Sequence, residues 1–117
     1  MESTEPRRGE IWLVSFGAAR KGELGKNRPA VVMSADEIMS GVEDELIVVV
    51  PLSSSRTPSL LRPGISEDEG IDSPSAAICR GVRAVARKRL LRPLGEARPA
   101  TVMEVEAALS VILGMQR

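Results

Sequence analysis

A glutamate and an arginine five positions apart, Glu23 and Arg28, are the residues of this chain best suited to acid–base chemistry. They lie in and beside the glycine-rich residues 17–27, which the sequence predicts to be a long loop. A carboxylate can take the proton from a ribose 2′-hydroxyl, and a guanidinium can neutralise charge building on phosphoryl oxygens. The pair therefore suits metal-free cleavage of RNA, although two such side chains in a loop equally suit a surface salt bridge.

The residue types that the chain lacks exclude most other catalytic schemes. There is no histidine and no tyrosine among the 117 residues, so histidine bases, histidine zinc sites and Ser-His-Asp triads are excluded. The sequence also contains no P-loop, dinucleotide fingerprint or nucleophile elbow. We therefore expect no metal and no organic cofactor.

Two other chemically suggestive features have structural interpretations. Cys79, the single cysteine, has no disulfide partner and no histidine to activate it, so we interpret it as a buried structural side chain in a strand. The acidic residues 67–72 do not follow the spacing of a calcium-binding loop. We interpret them as a solvated turn rather than as a site for Mg²⁺ or Ca²⁺.

Charge is balanced overall but unevenly distributed along the chain. Sixteen basic and sixteen acidic residues give a formal net charge of zero. Residues 73–95 nevertheless contain six bases and no acid, and residues 11–35 contain four bases and one acid. If the fold brings these two segments together, a neutral protein acquires a positive face. Solvated surface charges without a partner are the alternative.

Hydrophobic periodicity predicts a mainly β protein with short helices and one C-terminal helix. The predicted strands occupy residues 10–16, 28–34, 46–52, 61–65, 76–85 and 91–94. The predicted short helices occupy residues 35–39, after an N-cap at Ser34, and residues 86–91. Thr101 and Glu104 form a capping-box pattern before apolar residues at helical spacing, which predicts that the last helix begins there.

Length and composition are typical of one globular domain. The chain is 43% hydrophobic and 27% charged, and we assign residues 1–8 to a flexible N-terminus and residues 9–117 to a single domain. No apolar run approaches the roughly 18 residues that a membrane helix requires. The N-terminus lacks the apolar segment of a signal peptide, so we expect a cytoplasmic protein without membrane association.

Several short motifs occur in an order that is similar to one protein family. RGEIWLV at residues 8–14 and GKNRPAVVMS at residues 25–34 resemble the start of the MazF/PemK (Kid) toxins of type II toxin–antitoxin systems. The later motifs follow in the same order: VVVPLS at residues 48–53, AICRGVRAV at residues 77–85, RL at residues 89–90 and LG at residues 94–95. The resemblance implies an SH3-like (PemK/CcdB-like) β-barrel with a C-terminal helix, assembled as a homodimer.

The resemblance also implies a function and a set of site residues. It implies a metal-independent endoribonuclease that cuts single-stranded RNA (mRNA, or else tRNA or rRNA) at short sequences. A MazE-like antitoxin is implied as inhibitor, with a flexible tail that occupies the RNA groove. The catalytic glutamate, arginine and hydroxyl residue of the family fall on Glu23, Arg28 and Ser53. The residues expected to contact RNA are Lys26, Asn27, Arg80, Arg83 and Arg87.

Three positions depart from the family pattern. Ser53 stands where threonine is common, Gly81 where glutamine is typical, and Arg80 where some members have aspartate. The last two departures are expected to change which bases are read, so we assign no cleavage sequence.

Two alternatives are considered. The first is a CcdB-like toxin that binds DNA gyrase, but such chains end in Trp-Gly-Ile and this one ends in Gly-Met-Gln-Arg. The second is an inactive SH3-like binding module, which the presence of both Glu23 and Arg28 disfavours.

Overall fold

The computed structural model describes residues 5–17 and 26–116, and within these ranges the protein is built from seven strands and one α-helix. The strands are β1 (Glu10–Ser15), β2 (Asn27–Val32), β3 (Leu46–Ser53), β4 (Gly64–Ile65), β5 (Ser75–Ala77), β6 (Arg83–Ala86) and β7 (Leu90–Glu96). The helix α1 spans Pro99–Ile112. Single 3-10 turns lie at Asp36–Ile38, Glu67–Glu69, Cys79–Gly81 and Arg87–Arg89.

The strands form an antiparallel sheet in the order β4-β5-β3-β2-β1-β7, and β6 also pairs with β3. The eight-residue β3 is the centre of this arrangement. Its first half pairs with β6 and its last two residues pair with β5, while β2 occupies its other edge. This mainly β architecture with a C-terminal α-helix confirms the fold class predicted from the sequence.

The sheet is buried on both faces. One face packs against α1 in a helix-side core, whose fully buried members include Ile11, Val31, Val50, Leu52 and Val105. The other face carries a second core that includes Trp12, Val14, Phe16, Val32, Val49 and Val85. Burial on both faces explains the apolar residues 49–52 of β3, whereas Leu46 and Val48 in its first half are exposed.

The single strand predicted over residues 76–85 is wrong, because the chain forms two strands separated by a 3-10 turn. The break lies opposite Pro51 of β3, which has no N–H to donate to a neighbouring strand. The Pro51 carbonyl accepts a hydrogen bond from the Ile78 N–H at 2.8 Å, and a Cβ added to Gly81 would lie 3.2 Å from Pro51 Cγ. Cys79 is fully buried in this turn rather than in a strand, and burial raises the pKa of its thiol to about 11.

Both predicted helix caps are wrong. The Ser34 hydroxyl accepts a hydrogen bond from the Val48 N–H at 2.8 Å, so it joins two strands instead of capping the turn at Asp36–Ile38. Helix α1 begins at Pro99, with Arg98 as its N-cap residue, and Thr101 therefore lies inside the first turn. Proline suits this first position because its missing N–H would have no partner within the helix.

A carboxylate distant in sequence accepts a hydrogen bond from the backbone N–H at the start of α1. Glu69 was predicted to lie in a solvated turn, but it is only 3% exposed. Its carboxylate accepts hydrogen bonds from the N–H groups of Ser66 and Arg98, both at 2.9 Å, and from Arg98 Nη1 at 3.2 Å. Burial alone would raise the pKa of Glu69, but the hydrogen bonds from Ser66, Arg98 and Thr101 outweigh it and lower the pKa. Glu69 thus ties residues 66–75 to the helix.

The backbones of two glycines cross beside Glu69. A Cβ added to Gly70 would lie 2.5 Å from the Leu94 carbonyl oxygen, and one added to Gly95 would lie 2.2 Å from the Glu69 carbonyl oxygen. Gly70 also has a φ of +112°, in the left-handed region that side chains rarely adopt. The chain segment after Glu69 is therefore held directly against β7, and only glycine fits at either position.

Residues 1–8 were predicted to be a flexible extension, but the described part of that segment contacts the sheet. Pro6 is buried, and the Arg8 N–H donates to the Asp36 carboxylate at 2.7 Å. The Arg8 guanidinium also bonds the Met33 carbonyl and forms an ion pair with Glu106 of α1.

The strand predicted at residues 61–65 is shorter than expected, since only its last two residues form β4. None of the helices in the described ranges is long and apolar enough to cross a membrane.

Candidate active site

The structure brings Arg28 and Ser53 together at adjacent ends of β2 and β3. Arg28 is half-buried at the second position of β2, and its Nη1 donates a hydrogen bond to the Leu52 carbonyl at 3.3 Å. Ser53, the last residue of β3, directly follows Leu52 and is buried. Both residues line a cavity of about 350 Å³. We call this space the Arg28 cavity.

Hydroxyl groups line the Arg28 cavity beside the guanidinium. The Ser53 and Ser55 hydroxyl oxygens are 3.0 Å apart, and Ser53 Oγ also accepts a hydrogen bond from the Ser55 N–H at 3.3 Å. Five serines contribute to the wall: Ser53, Ser54, Ser55, Ser73 and Ser75. A cation beside several small donors matches the oxygen atoms of a phosphate group.

One carboxylate among the described residues also lines the Arg28 cavity, and sequence reasoning did not select it. Asp72 ends the acidic run that was predicted to be a solvated turn, and the structure places it in the cavity wall between Ile71 and Ser73. Its proximity to Arg28 follows from pairing of β5 with β3, which brings a segment more than forty residues away to this site. No local pattern in the sequence signals that contact.

Glu23, the predicted catalytic carboxylate, lies outside the described residues, but the residues that flank its segment lie beside Arg28. The Lys26 N–H donates to the Gly17 carbonyl, and the Phe16 N–H donates to the Lys26 carbonyl at 3.0 Å. Lys26 has a φ of +64° and is exposed. Asn27 is also exposed, and it begins β2 opposite Ser15. The described residues on either side of this segment therefore bond each other directly before β2, which carries Arg28 at its second position.

Arg83 lies on the same face of the sheet as Arg28. Arg28 is directly opposite Val14 in the β1–β2 pair, and Phe16 follows Val14 by two residues, so all three share a face. The Arg83 guanidinium carbon lies 5.2 Å from the centroid of the Phe16 ring, a cation–π distance. Arg83 is exposed at the start of β6, so its charge remains accessible to a ligand.

The other two predicted RNA-binding arginines have different surroundings. Arg87 forms an ion pair with Glu5, and its side chain is only 19% exposed. Arg80 is exposed in the 3-10 turn at Cys79–Gly81 and lines a separate cavity. The basic segment therefore does not act as one uniform positive face.

Metal-binding geometry is absent from the described residues, in which no three cysteine or carboxylate side chains come close enough together to hold an ion. Two carboxylates of the acidic residues 67–72, those of Asp68 and Glu69, are bonded to other groups of the protein. The Ser66 hydroxyl and the Arg98 guanidinium both bond the Asp68 carboxylate and lower its pKa. Glu69 is shared between the same two residues, as described above.

Comparison with known proteins agrees with this architecture. The chain is 32% identical over 116 residues to endoribonuclease MazF9 of Mycobacterium tuberculosis, and the alignment covers 93% of this chain and 97% of the relative. MazF of Deinococcus radiodurans superposes with a TM-score of 0.81 at 23% identity, covering 97% of this chain and all of that one. A mycobacterial endoribonuclease, solved in complex with its cognate antitoxin, superposes with a TM-score of 0.76 at 19% identity, covering 97% and 99% of the two chains.

The family assignment rests on almost the whole sequence. Residues 7–113 match the model of the PemK-like, MazF-like toxins of type II toxin–antitoxin systems. That range contains all seven strands and helix α1, together with the Arg28 cavity. The chain therefore belongs to the PemK-like, MazF-like family of type II toxins.

Proposed function

We propose that this toxin is an endoribonuclease that cleaves single-stranded RNA at short sequences without a metal ion, and that a MazE-like antitoxin inhibits it. The observation that carries the proposal is the shared cavity of Arg28 and Ser53 at the ends of two paired strands. The relative MazF9 is named an endoribonuclease, and a structural neighbour was solved with its cognate antitoxin, which supports both parts. The proposed location is the cytoplasm, and the proposed assembly is a homodimer.

The proposed reaction begins with attack of a ribose 2′-oxygen on the adjacent phosphorus. A base removes the 2′-hydroxyl proton, the new phosphorus–oxygen bond forms, and the bond to the 5′-oxygen breaks as that oxygen receives a proton. Negative charge grows on the phosphoryl oxygens during this step. We assign Arg28 to bind those oxygens with its planar guanidinium and the Ser53 hydroxyl to donate a further hydrogen bond, and their shared cavity supports both assignments.

Two carboxylates are candidates for the base. Glu23 is the first, because the residues that flank its segment, Gly17 and Lys26, bond each other directly before the strand that carries Arg28. Asp72 is the second, because it is the one carboxylate within the described residues that lines the cavity. We assign the role to Glu23 and give Asp72 the role of orienting Arg28 or the substrate. Substitution of each residue separately distinguishes these roles.

RNA outside the reacting phosphate is proposed to contact Lys26, Asn27 and Arg83. All three are exposed, and Arg83 shares a sheet face with Arg28. Arg87 is expected to contribute less, because Glu5 already neutralises it. Replacing Arg83 with alanine should lower the salt slope of single-strand binding by about 0.7, whereas replacing Arg87 should not change it.

Incubation of the purified protein with single-stranded RNA in excess EDTA tests the proposal. We expect discrete RNA fragments and intact DNA of the same sequence, because DNA has no 2′-hydroxyl. The variant Arg28→Ala, purified in the same way, controls for contaminating ribonucleases. A strict requirement for Mg²⁺ would contradict the metal-free reaction, and no cleavage under any condition would favour the gyrase-binding or inactive alternatives.

The proposed homodimer is tested by light scattering, which should give about twice the 12.6 kDa mass of one chain.

A further inference from the structure

A second cationic cavity lies beyond the Arg28 cavity. Three arginines line it, namely Arg56, Arg62 and Arg80, and its volume is about 490 Å³. We call it the arginine cavity. Leu60, Leu61 and Ile78 supply an apolar part of its wall, and Leu60 is 89% exposed. A tight turn fixes one side, since the N–H groups and carbonyls of Ser59 and Arg62 bond each other at 2.9 and 3.0 Å.

The three arginines of this cavity have no protein partner in the described part of the chain. None of their guanidinium groups forms a hydrogen bond or an ion pair with another described residue. By contrast, Arg8, Arg87 and Arg98 each pair with a carboxylate. Three cations around one cavity repel one another unless an anion lies between them. The arrangement therefore fits an anionic ligand better than it fits a role in folding.

An intermediate space shares one lining residue with the arginine cavity and one with the Arg28 cavity. That space has a volume of about 340 Å³; Ser75 lines both it and the Arg28 cavity, and Arg56 lines both it and the arginine cavity. Its wall is mostly small or apolar, with Pro58, Gly64 and Pro74 among its residues. Besides Arg56, its charged side chains are Glu69 and Arg98, which are paired with each other. A chain molecule bound at Arg28 can therefore continue to the three arginines without meeting an unpaired carboxylate in this intermediate space.

We propose that the arginine cavity binds the backbone phosphates of the same RNA strand whose scissile phosphate lies at Arg28. This inference rests on the proposed endoribonuclease function and extends it from the reacting phosphate to the flanking strand. Arginine binds phosphate through two parallel hydrogen bonds, and the leucine and isoleucine side chains offer an apolar surface to a flanking base. The consequence is that substrates extending past the cleavage site bind more tightly than substrates that end there.

An RNA strand fits the observations better than an acidic peptide does. The repeating phosphates of one strand supply anions both at Arg28 and at the arginine cavity, and the intermediate space borders on both. The five serines near Arg28 match phosphate oxygens at the same end of the path. A peptide would need carboxylates at both ends and uncharged residues between them.

Binding of two oligonucleotides that cannot be cleaved tests the inference. Both are fluorescent 2′-O-methyl oligoribonucleotides, which lack the attacking hydroxyl; one has about five nucleotides and one about twelve, within the range of single-strand binding sites. Affinities are measured by anisotropy at several salt concentrations for the wild type and for Arg56→Ala/Arg62→Ala/Arg80→Ala. The control is Arg92→Ala, an exposed arginine of β7 that lines none of the three cavities.

We expect the triple variant to lose at least about tenfold in affinity for the long probe, with a salt slope lower by about 2, and to bind the short probe as the wild type does. The control should match the wild type with both probes. If the triple variant is unstable in thermal melts, each single variant should still lower the slope by about 0.7.

Equal loss of affinity for both probes, or an unchanged slope, would overturn the inference. Retained RNA binding together with lost binding of an acidic, leucine-rich peptide would also overturn it, because the cavity would then take a peptide. Cleavage by the wild type is measured in parallel. Absence of cleavage with the expected binding pattern refutes the proposed function alone, and cleavage without that pattern refutes the inference alone.

Discussion

Arg98 and Arg28 both lie against residues 66–75, but their surroundings differ in kind. Arg98 contacts the carboxylates of Asp68 and Glu69, and it also donates to the Ser66 hydroxyl at 3.1 Å. Arg28 donates to a carbonyl group and lies in a cavity lined with serine hydroxyls. The carboxylates that Arg98 contacts belong to the segment that it helps to hold against α1, whereas Arg28 lies in the wall of a cavity that can receive a ligand. The difference predicts which substitutions change activity and which change stability.

The largest effect on activity is expected from the base. Glu23→Gln keeps the shape of the side chain but cannot accept the proton, so we expect the cleavage rate to fall by about a thousandfold. RNA affinity should hold or increase, because a negative charge is removed. Asp72→Asn should cost less than tenfold under the proposed assignment. A larger rate loss for Asp72→Asn than for Glu23→Gln in single-turnover assays would identify Asp72, in the cavity wall, as the base.

Separate substitutions of Arg28 and Arg98 test whether the first acts in cleavage and the second in stability. Arg28→Ala should lower the cleavage rate by at least about a hundredfold, the usual loss for one transition-state contact, and should leave the melting temperature nearly unchanged. Arg28→Lys should restore little, because an ammonium group cannot replace a two-pronged guanidinium. Arg98→Ala should do the reverse and lower the melting temperature with little effect on the rate. Full activity of a folded Arg28→Ala protein would disprove the proposed site.

Glu69 offers a pH-dependent test of the structural cluster. Its folded pKa lies below its ordinary value near 4.5, so its contribution to stability is present above that pH and is lost as the pH falls through the folded pKa. Glu69→Gln should lower the free energy of unfolding by about 2 kcal/mol at neutral pH, because an amide N–H₂ then faces buried donors. The difference between wild type and variant, measured in denaturant titrations, should shrink below about pH 4.5.

A matched control accompanies the Glu69 experiment. Glu104 is exposed on α1, so Glu104→Gln should change the free energy of unfolding by less than about 0.5 kcal/mol at every pH. Glu69→Gln should retain its cleavage activity at temperatures well below its melting point. A Glu69→Gln protein as stable as the wild type at neutral pH would show that the buried carboxylate does not hold the segment against α1.

A smaller loss of activity than for Glu23→Gln or Arg28→Ala is expected from the hydroxyl residue. Ser53→Ala removes one neutral hydrogen bond, worth about 1 kcal/mol, so we expect a rate loss of about tenfold. Ser55 lies 3.0 Å away and can supply part of the same contact, so the double variant Ser53→Ala/Ser55→Ala should lose more than Ser53→Ala alone. Ser53→Thr, which keeps the hydroxyl, should remain active. Loss of activity in Ser53→Thr would indicate a steric effect rather than a missing hydrogen bond.

The local features of the fold could be predicted from the sequence. The apolar run at residues 46–52 predicted β3 to within one residue, although Leu46 and Val48 within it are exposed. The start of α1 could not be predicted in the same way. Thr101 and Glu104 form a plausible local cap, but the carboxylate that bonds the Arg98 N–H belongs to Glu69, 29 residues earlier. The division of residues 76–85 likewise depends on Pro51 in another strand.

The candidate site likewise combines residues that could be selected from the sequence with residues that only tertiary contacts bring to it. Arg28 and Ser53 were selected from the sequence, and the structure places both in one cavity. Asp72, Arg56 and Arg62 were not selected, because their significance depends on pairing of β5 with β3 and on a turn between β3 and β4. Tertiary contacts decide whether an arginine has a carboxylate partner, and the order of residues along the chain does not encode them directly.

The crossing of Gly70 and Gly95 bears on how substrate preference can diverge in this chain. The crossing fixes the backbone of the segment that carries Asp72, Ser73 and Ser75 above Arg28, and it does so without any side chain. The wall of the Arg28 cavity can therefore change its side chains while its distance from the reacting group stays constant. Mutational scanning should show glycine alone tolerated at positions 70 and 95, and broad tolerance at positions 73 and 75 accompanied by altered cleavage sequences. New specificities would then arise by single substitutions on an unchanged frame.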